Sequence, residues 1–341
     1  MMRFLSDNTA SVSPEILQAL QTVNHGLEHA YGEDPWSQRL DQVFGEFFEA
    51  EVRTFAVATG TAANSLALAT ITPPYGAIFA HEEAHVLRDE CSAPEFFSGG
   101  ARLISLSGLH GKISTDSLAR ALEWNPPTVH TVQPAAVTLT QASELGTVYQ
   151  AGEIKALADI AHAHGLAVHM DGARFANAVV TLGCHPSAIT WRSGVDVLSF
   201  GATKNGALGA EAVVFFDLAR VGDFELRRKR AGQLLSKARY AAAQLLAYIE
   251  SGLWRRNAQR TNQLALRIGA AAARHLLAPV EANEVFVRLG DEGKRELRQA
   301  GFEFYDWGTQ HSGAARFVIS WDQREEEVGA LCSVLSRVSP R

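Results

Sequence analysis

Short apolar runs alternate with longer stretches of helical periodicity through most of the chain. Thr54–Ala58, Ala77–Ala80, Arg102–Ser105, Thr128–Val132, Ala136–Leu139, Leu166–Met170, Asp196–Phe200 and Ala212–Phe216 have the length and apolar content of buried strands. Between them, Thr61–Thr70, Thr115–Glu123, Gln150–Ala163 and Phe175–Leu182 repeat at helical spacing. Such alternation predicts crossover units, hence an α/β fold with a mostly parallel sheet covered on both faces. After about Asp217 the pattern changes. Phe224 to Arg274 reads as helix broken near Ser251-Gly252, because Ala, Leu, Arg and Gln dominate and proline is absent. Strands at Glu284–Arg288, Glu303–Trp307 and Arg316–Ser320, with helices at Gly293–Ala300 and Glu325–Ser336, predict a small α+β appendage. Two domains are expected, 1–245 and 246–341, joined by the long helix.

Length agrees, since 341 residues suit about two domains. Hydrophobic residues at 47% and charged residues at 20% fit a water-soluble globular chain. A net charge of -6 offers no footprint for nucleic acid or an acidic membrane, and the basic run Arg227-Arg228-Lys229-Arg230 is short. Cys91, Cys184 and Cys332 are widely spaced and odd in number, which predicts neither a disulfide framework nor a zinc site. Met1-Met2-Arg3-Phe4 lacks an apolar signal core, and no eighteen apolar residues run together. A cytoplasmic protein with no membrane or nucleic-acid partner and no metal is expected.

Three stretches carry candidate chemistry. In Val168-His169-Met170-Asp171-Gly172-Ala173-Arg174, an apolar strand delivers an acid at its carboxyl end, where open α/β sheets bind ligands. Two small residues there let a planar group approach the backbone; taken alone, the aspartate could equally cap the next helix. Ser199-Phe200-Gly201-Ala202-Thr203-Lys204-Asn205-Gly206 places one lysine in a glycine-flanked turn after a strand. Burial there would favour its neutral, nucleophilic form. Thr59-Gly60-Thr61-Ala62-Ala63-Asn64 joins a strand to a helix start, offering N–H groups, a hydroxyl and a helix dipole to an anion. It is neither a P-loop nor a dinucleotide fingerprint.

Their order says more than any one of them. A phosphate cradle at Gly60 and Thr61, then Asp171, then Lys204 are the parts a pyridoxal 5'-phosphate site needs. The phosphate anchors the ring, the carboxylate keeps the pyridine nitrogen protonated, and the lysine forms a Schiff base.

The chain also resembles the L-threonine aldolases of the β-eliminating lyase branch of fold-type I pyridoxal-phosphate enzymes. The resemblance runs from Leu5-Ser6-Asp7-Asn8-Thr9 through Tyr31-Gly32-Glu33-Asp34-Pro35, the Thr-Gly-Thr turn, Asp171-Gly172-Ala173-Arg174-Phe175 and the lysine turn to Arg316. It implies an aspartate-aminotransferase-like large domain with a mostly parallel seven-stranded sheet, and a homodimer or homotetramer. It implies a β-hydroxy-α-amino acid substrate, cleaved to glycine and an aldehyde. His85 would stack on the cofactor and help move the hydroxyl proton, with His81 as rival; His130 would be a second histidine near the substrate hydroxyl. Ser6, Arg174 and Arg316 would hold the substrate carboxylate, which suits the planar fork of arginine. Lys237 would bring positive charge to the cofactor phosphate, across a subunit interface or within the chain. Tyr31 would line the side-chain pocket of its own or a neighbouring subunit. Better-known members carry a Glu-Asn-Thr-His-Asn-like segment and Ser-Lys-Gly. Here Thr140-Gln141-Ala142-Ser143-Glu144-Leu145-Gly146 and Thr203-Lys204-Asn205-Gly206 stand in their place, as in a sub-branch that includes phenylserine aldolases.

Other conspicuous residues read as structural. His162 and His164 point to different faces of one helix and make a poor metal pair. Trp191, Trp254 and Trp321 are expected to pack, and Cys184 to be a small structural residue.

Overall fold

The structure, a computed structural model, describes residues 1–309 and 312–338. Seven strands form the central sheet: β1 (Arg53–Val57), β2 (Gly76–His81), β3 (Arg102–Leu106), β4 (Gln133–Thr140), β5 (Ala167–Gly172), β6 (Val197–Gly201) and β7 (Glu211–Phe215). Their spatial order is β1-β7-β6-β5-β4-β2-β3, and only β7 runs antiparallel to its neighbours. Strands such as β2 and β5 are buried along their whole length, as the unbroken apolar runs require of a sheet covered on both faces.

One expected strand is missing. Thr128–Val132 is a turn, not a strand. Pro126 and Pro127 precede it, the Thr131 hydroxyl donates to the Pro126 carbonyl at 2.7 Å, and the Gln133 side chain donates to the Thr128 carbonyl at 2.8 Å. Side chains thus take backbone groups that a ladder would have used. The expected break at Ser251-Gly252 is present, but the helical stretch also opens between Arg230 and Arg239, at Gly232 with φ of 73°.

The second core is built on an antiparallel sheet of Tyr305–Trp307, Ala314–Val318 and Glu284–Arg288. Val285, Val287, Ala315 and Phe317 pack with Leu264, Ile268, Leu331 and Leu335, so one face of this sheet is closed by helices Leu253–Ala271 and Glu325–Leu335. The other face carries Glu284, Phe286 and Arg316. Along helix Leu253–Ala271 the change of core falls between Ala258, packed in the large one, and Leu264, packed in the small one. The expected border at 245/246 lies instead inside helix Arg239–Glu250, where Leu245 and Leu246 belong to the large core. The chain's start also joins the small unit: Met2–Arg3 pairs with Phe302–Glu303, and Phe4 is buried there.

Among the described residues no helix is long and apolar enough to cross a membrane, and no group of three acidic, histidine or cysteine side chains could hold a metal. The three cysteines are free. Of the tryptophans expected to pack, Trp254 is buried and meets Phe47 edge-on, whereas Trp191 is exposed and Trp321 half-buried, their N–H groups donating to the Phe48 and Ser11 carbonyls. His162 binds Asp196.

Candidate active site

The carboxyl ends of β1, β4, β5 and β6 surround a cavity of about 280 Å³. Its walls bring together Gly60, Thr61, Asp171, Arg174, Lys204 and His85, from four separate stretches of the chain.

Lys204 lies in the short turn Thr203–Asn205 directly after β6. Its turn is held from three sides. Glu211 accepts from the Ala202 N–H at 2.9 Å, the Asn205 amide donates to the Tyr248 hydroxyl at 2.6 Å, and Asn257 donates to the Asn205 carbonyl at 2.9 Å. The Lys204 ammonium itself has no hydrogen-bond or ion-pair partner among the described residues. It is a rigidly presented amine facing a cavity.

Asp171 ends β5. Its Oδ1 accepts from the Ala173 N–H at 3.0 Å and its Oδ2 from the Asn64 amide at 2.8 Å. Both donors leave acceptor capacity on the carboxylate. The small residues beside Asp171 have a packing cause. A Cβ on Gly172 would lie 2.7 Å from the Ser199 carbonyl oxygen, and one on Gly201 would lie 2.7 Å from the Ala173 backbone. Only glycine lets the ends of β5 and β6 approach this closely, so the room at Gly172 is filled by the neighbouring strand and not by a planar ligand. Beneath, the Thr138 hydroxyl, the His169 imidazole and the Ser199 hydroxyl form a buried line with contacts of 2.8 and 2.9 Å. Burial pushes His169 down to about 4, so it is neutral at pH 7.

Helix Gly60–Ile71 starts at the cavity. Thr59 caps it by accepting from the Ala62 N–H at 3.1 Å, leaving earlier N–H groups free for an anion. A Cβ on Gly60 would meet nothing within 4 Å, so the approach is open.

His85 begins the short helix His85–Arg88 and lines the cavity. Its Nδ1 sits 2.8 Å from Glu90 Oε1, an oxygen that also accepts from the Asn64 amide at 2.8 Å. The Glu90 hydrogen bond raises the imidazole above its ordinary value, against the effect of burial. Burial raises Glu90 in turn, although His85 and Asn64 oppose it. Glu144 also lines the cavity and accepts from the His85 backbone N–H at 3.3 Å. Burial and the Asp171 charge push it up to about 7, with Lys204 pulling the other way. The rival His81 is engaged elsewhere: it meets the Gly108 carbonyl at 3.2 Å and accepts from the Glu83 N–H.

Arg174 lines the cavity, but its guanidinium is occupied. Nε and Nη2 donate to the two Asp7 oxygens at 2.9 and 3.0 Å, and Nη1 lies 3.2 Å from Glu284 Oε2. Arg316 stands on the open face of the small sheet, its guanidinium 5.4 and 5.5 Å from the Tyr305 and Trp307 ring centres, with a buried Nε that has no partner. It does not line the cavity, although its charge acts on Glu284.

Four more expected residues lie outside the cavity. Ser6 caps a 3-10 turn by accepting from the Asn8 N–H, and Asn8 lines the cavity in its stead. His130 is exposed on the turn before β4, and β4 reaches the cavity only at Thr140. A strand of that length separates the two by on the order of 25 Å. Tyr31, half exposed, lies beneath the Lys229 ammonium at a second cavity lined also by Arg53 and Arg228. Lys237 is exposed close by, since the Tyr31 N–H donates to the Ser236 carbonyl. None of these three lines its own chain's cavity.

Glu90, Asn64, Asp7, Glu211 and Glu284 were not singled out from sequence. Asp7 and Asn64 do fall within matched motifs; Glu90, Glu211 and Glu284 sit in no motif, and only contacts across the fold reveal them.

The donor set suits one cofactor. A partnerless amine, a carboxylate at a strand end and a helix N-terminus open to an anion surround one cavity, at the carboxyl ends of a mostly parallel sheet. That combination defines a fold-type I pyridoxal-phosphate-dependent enzyme. Residues 3–292 match the family described as Beta-eliminating lyase, and the chain belongs to that family of pyridoxal-phosphate-dependent lyases. It is 41% identical over 340 residues to the low specificity L-threonine aldolase of Pseudomonas sp. (strain NCIMB 10558), covering 98% of this chain and 97% of the relative. The fold matches Leishmania major threonine aldolase with a TM-score of 0.92 at 25% identity, covering 99% of each chain. It also matches aspartate aminotransferase from Thermus thermophilus with a TM-score of 0.71 at 16% identity, over 99% of this chain and 92% of that one, a likeness of fold alone.

Proposed function

We propose that the enzyme cleaves a β-hydroxy-α-amino acid of the L-threonine, L-allo-threonine or phenylserine type to glycine and an aldehyde. The observation that carries this is a partnerless Lys204 amine sharing one cavity with Asp171 and with a histidine whose Nε2 is free. Relatives named low specificity L-threonine aldolases support the substrate class.

Bound pyridoxal phosphate supplies an electron sink for the bond broken at the substrate α-carbon. Lys204 supplies the amine that holds it. Asp171, fixed by Asn64 and Ala173, would accept from the pyridine N–H, and the N–H groups of Gly60 and Thr61 with the Thr61 hydroxyl would receive the phosphate. Arg174, held at the cavity wall by Asp7 and Glu284, and Arg316, which stands outside the cavity and acts across Glu284, would supply the positive charge for the substrate carboxylate. His85 Nε2 takes the proton of the β-hydroxyl as the Cα–Cβ bond breaks and the aldehyde leaves. The α-carbon then gains one proton, equivalent to the one His85 took, which completes glycine and returns His85 to its starting state.

His130, Lys237 and Tyr31, which do not line this cavity, act on a neighbouring chain's site within a homo-oligomer, a role that their exposure on the surface allows. Incubation with a panel of β-hydroxy amino acids tests the reaction. Equimolar aldehyde and glycine are expected. Ammonia with a keto acid in their place would refute aldol cleavage and indicate β-elimination.

A further inference from the structure

Glu90 has a position that packing alone does not explain. Its side chain is 0% exposed, yet it is an acid. Oε1 meets both His85 Nδ1 and the Asn64 amide, while Oε2 is buried with no hydrogen-bond partner among the described residues. An unmet buried carboxylate oxygen is costly, and an apolar side chain would avoid the cost. The backbone directly after it is strained as well. Cys91 and Ser92 both adopt left-handed conformations, with φ of 49° and 60°, in a place where glycine would be usual. Those two turns bend the chain back so that Glu90 reaches both helix Gly60–Ile71 and His85.

We propose that Glu90 is a positioning residue. It holds His85 with the proton on Nδ1 and Nε2 free for the substrate, and through Asn64 it ties that histidine to Asp171. This role rests on the reading of His85 as proton acceptor given above. The geometry is a single chain of hydrogen bonds, Asp171 Oδ2 to the Asn64 amide to Glu90 Oε1 to His85 Nδ1, each 2.8 Å long. A carboxylate only accepts, so the proton between Glu90 and His85 belongs to the imidazole. Fixing one nitrogen as donor leaves the other as acceptor, which is how a neighbouring acid selects the tautomer of a catalytic histidine. Because Asn64 also binds Asp171, a shift of either acid moves the other end of the chain.

The charged groups facing this pair are Glu144 from the loop after β4, Asp171 from β5 and Lys204 from the turn after β6. All three remain in a Glu90→Gln variant, so a change in pH profile there is assignable to Glu90.

The test uses the holoenzyme and three readouts. With Glu90→Gln, kcat is expected to fall about 100-fold, the scale of a mispositioned general base, while KM changes little. The acid limb of kcat/KM should move to lower pH, because the bond that raises His85 has been weakened. Added to His85→Asn, Glu90→Gln should cost almost nothing further, since it acts through His85. An equal loss in both backgrounds, or an unmoved acid limb, would overturn the proposal. Nitrogen-15 NMR of the histidines in the unmutated holoenzyme needs no variant of Glu90. At alkaline pH the His85 signal, assigned by its loss in His85→Asn, should show a protonated Nδ1; a protonated Nε2 would also overturn it. If the parent yields no aldehyde from any β-hydroxy amino acid while the Nδ1 tautomer stands, the function fails and the positioning survives.

Discussion

Asp7→Asn probes how the N-terminal segment is tied to the site. Asp7 is 2% exposed and receives two hydrogen bonds from Arg174 and one, at 3.0 Å, from the Asn283 amide. It therefore joins the chain start, the large core and the small domain. Burial alone would raise its carboxyl, but Arg174, Lys204 and Asn283 together hold it below its ordinary range. An asparagine keeps the shape and loses the charge. One of its two side-chain positions becomes N–H, which confronts an Arg174 N–H with another donor. Breaking a buried pair typically costs about 3–5 kcal/mol. Glu284, 3.2 Å from Nη1, still offsets part of the Arg174 charge, so the lower end applies, about 3 kcal/mol. At roughly 2–4 °C per kcal/mol for domains of this size, the apparent Tm should fall by about 6–12 °C.

Differential scanning calorimetry with urea midpoints checks this, with Glu303→Gln as control. That residue binds Arg3 in the same segment but at the surface, where a pair contributes about 0–1 kcal/mol. Acid supplies a second check. A depressed carboxyl stabilises the fold above its unfolded value and loses that effect as pH falls through its folded value. The gap between parent and Asp7→Asn should be constant near neutrality and close below about pH 4. A variant within about 2 °C of the parent, or a gap indifferent to acid, would refute the assignment of Asp7 as the buried anchor of Arg174.

Lys204→Ala should abolish turnover, and borohydride treatment of the parent should leave a pyridoxyl label at position 204; a label elsewhere sinks the site. Arg316→Ala should raise KM about 10- to 100-fold, the loss of a charged hydrogen bond of about 1.5–3 kcal/mol, while bound cofactor remains visible in the absorption spectrum. Vanishing of that spectrum would place Arg316 elsewhere. Glu211→Gln should flatten the pH dependence of stability. Burial raises Glu211 to about 7, so the parent loses stability as pH rises from about 4.3 through 7, and the variant should lack that slope. A parent and variant with parallel profiles would contradict it. His130→Ala and Lys204→Ala subunits, each poorly active alone, should regain activity when unfolded and refolded together, because one chain then supplies the histidine and the other the lysine. No recovery would refute the placement of His130 at a neighbour's site.

Local pattern was enough for the secondary structure that lines the cavity. Apolar runs near 54, 137, 168 and 198 became strands because they are buried on both faces, and Phe175–Leu182 became a helix with the bounds its periodicity indicates. The order of a Thr-Gly-Thr turn, Asp171 and Lys204 was legible for the same reason: each sits at the carboxyl end of a strand, and parallel strands present those ends together. Thr128–Val132 misled, since its β-branched residues promise a strand while threonine hydroxyls and two prolines make a turn. His130 was displaced with it.

What lay beyond the sequence were contacts between distant elements. Whether an acid such as Glu90 meets His85, or Asp7 occupies the donors of Arg174, depends on how helices and the N-terminal segment pack over the sheet. Periodicity says which face of an element is buried but not which side chain of another element it meets. So the chain's own order pointed to the cofactor and to the stretches that meet at the cavity. Tertiary packing alone decided the histidine's partner, the occupied arginine, and which expected residues point away to the surface, because burial and hydrogen-bond distance are properties of three-dimensional neighbours.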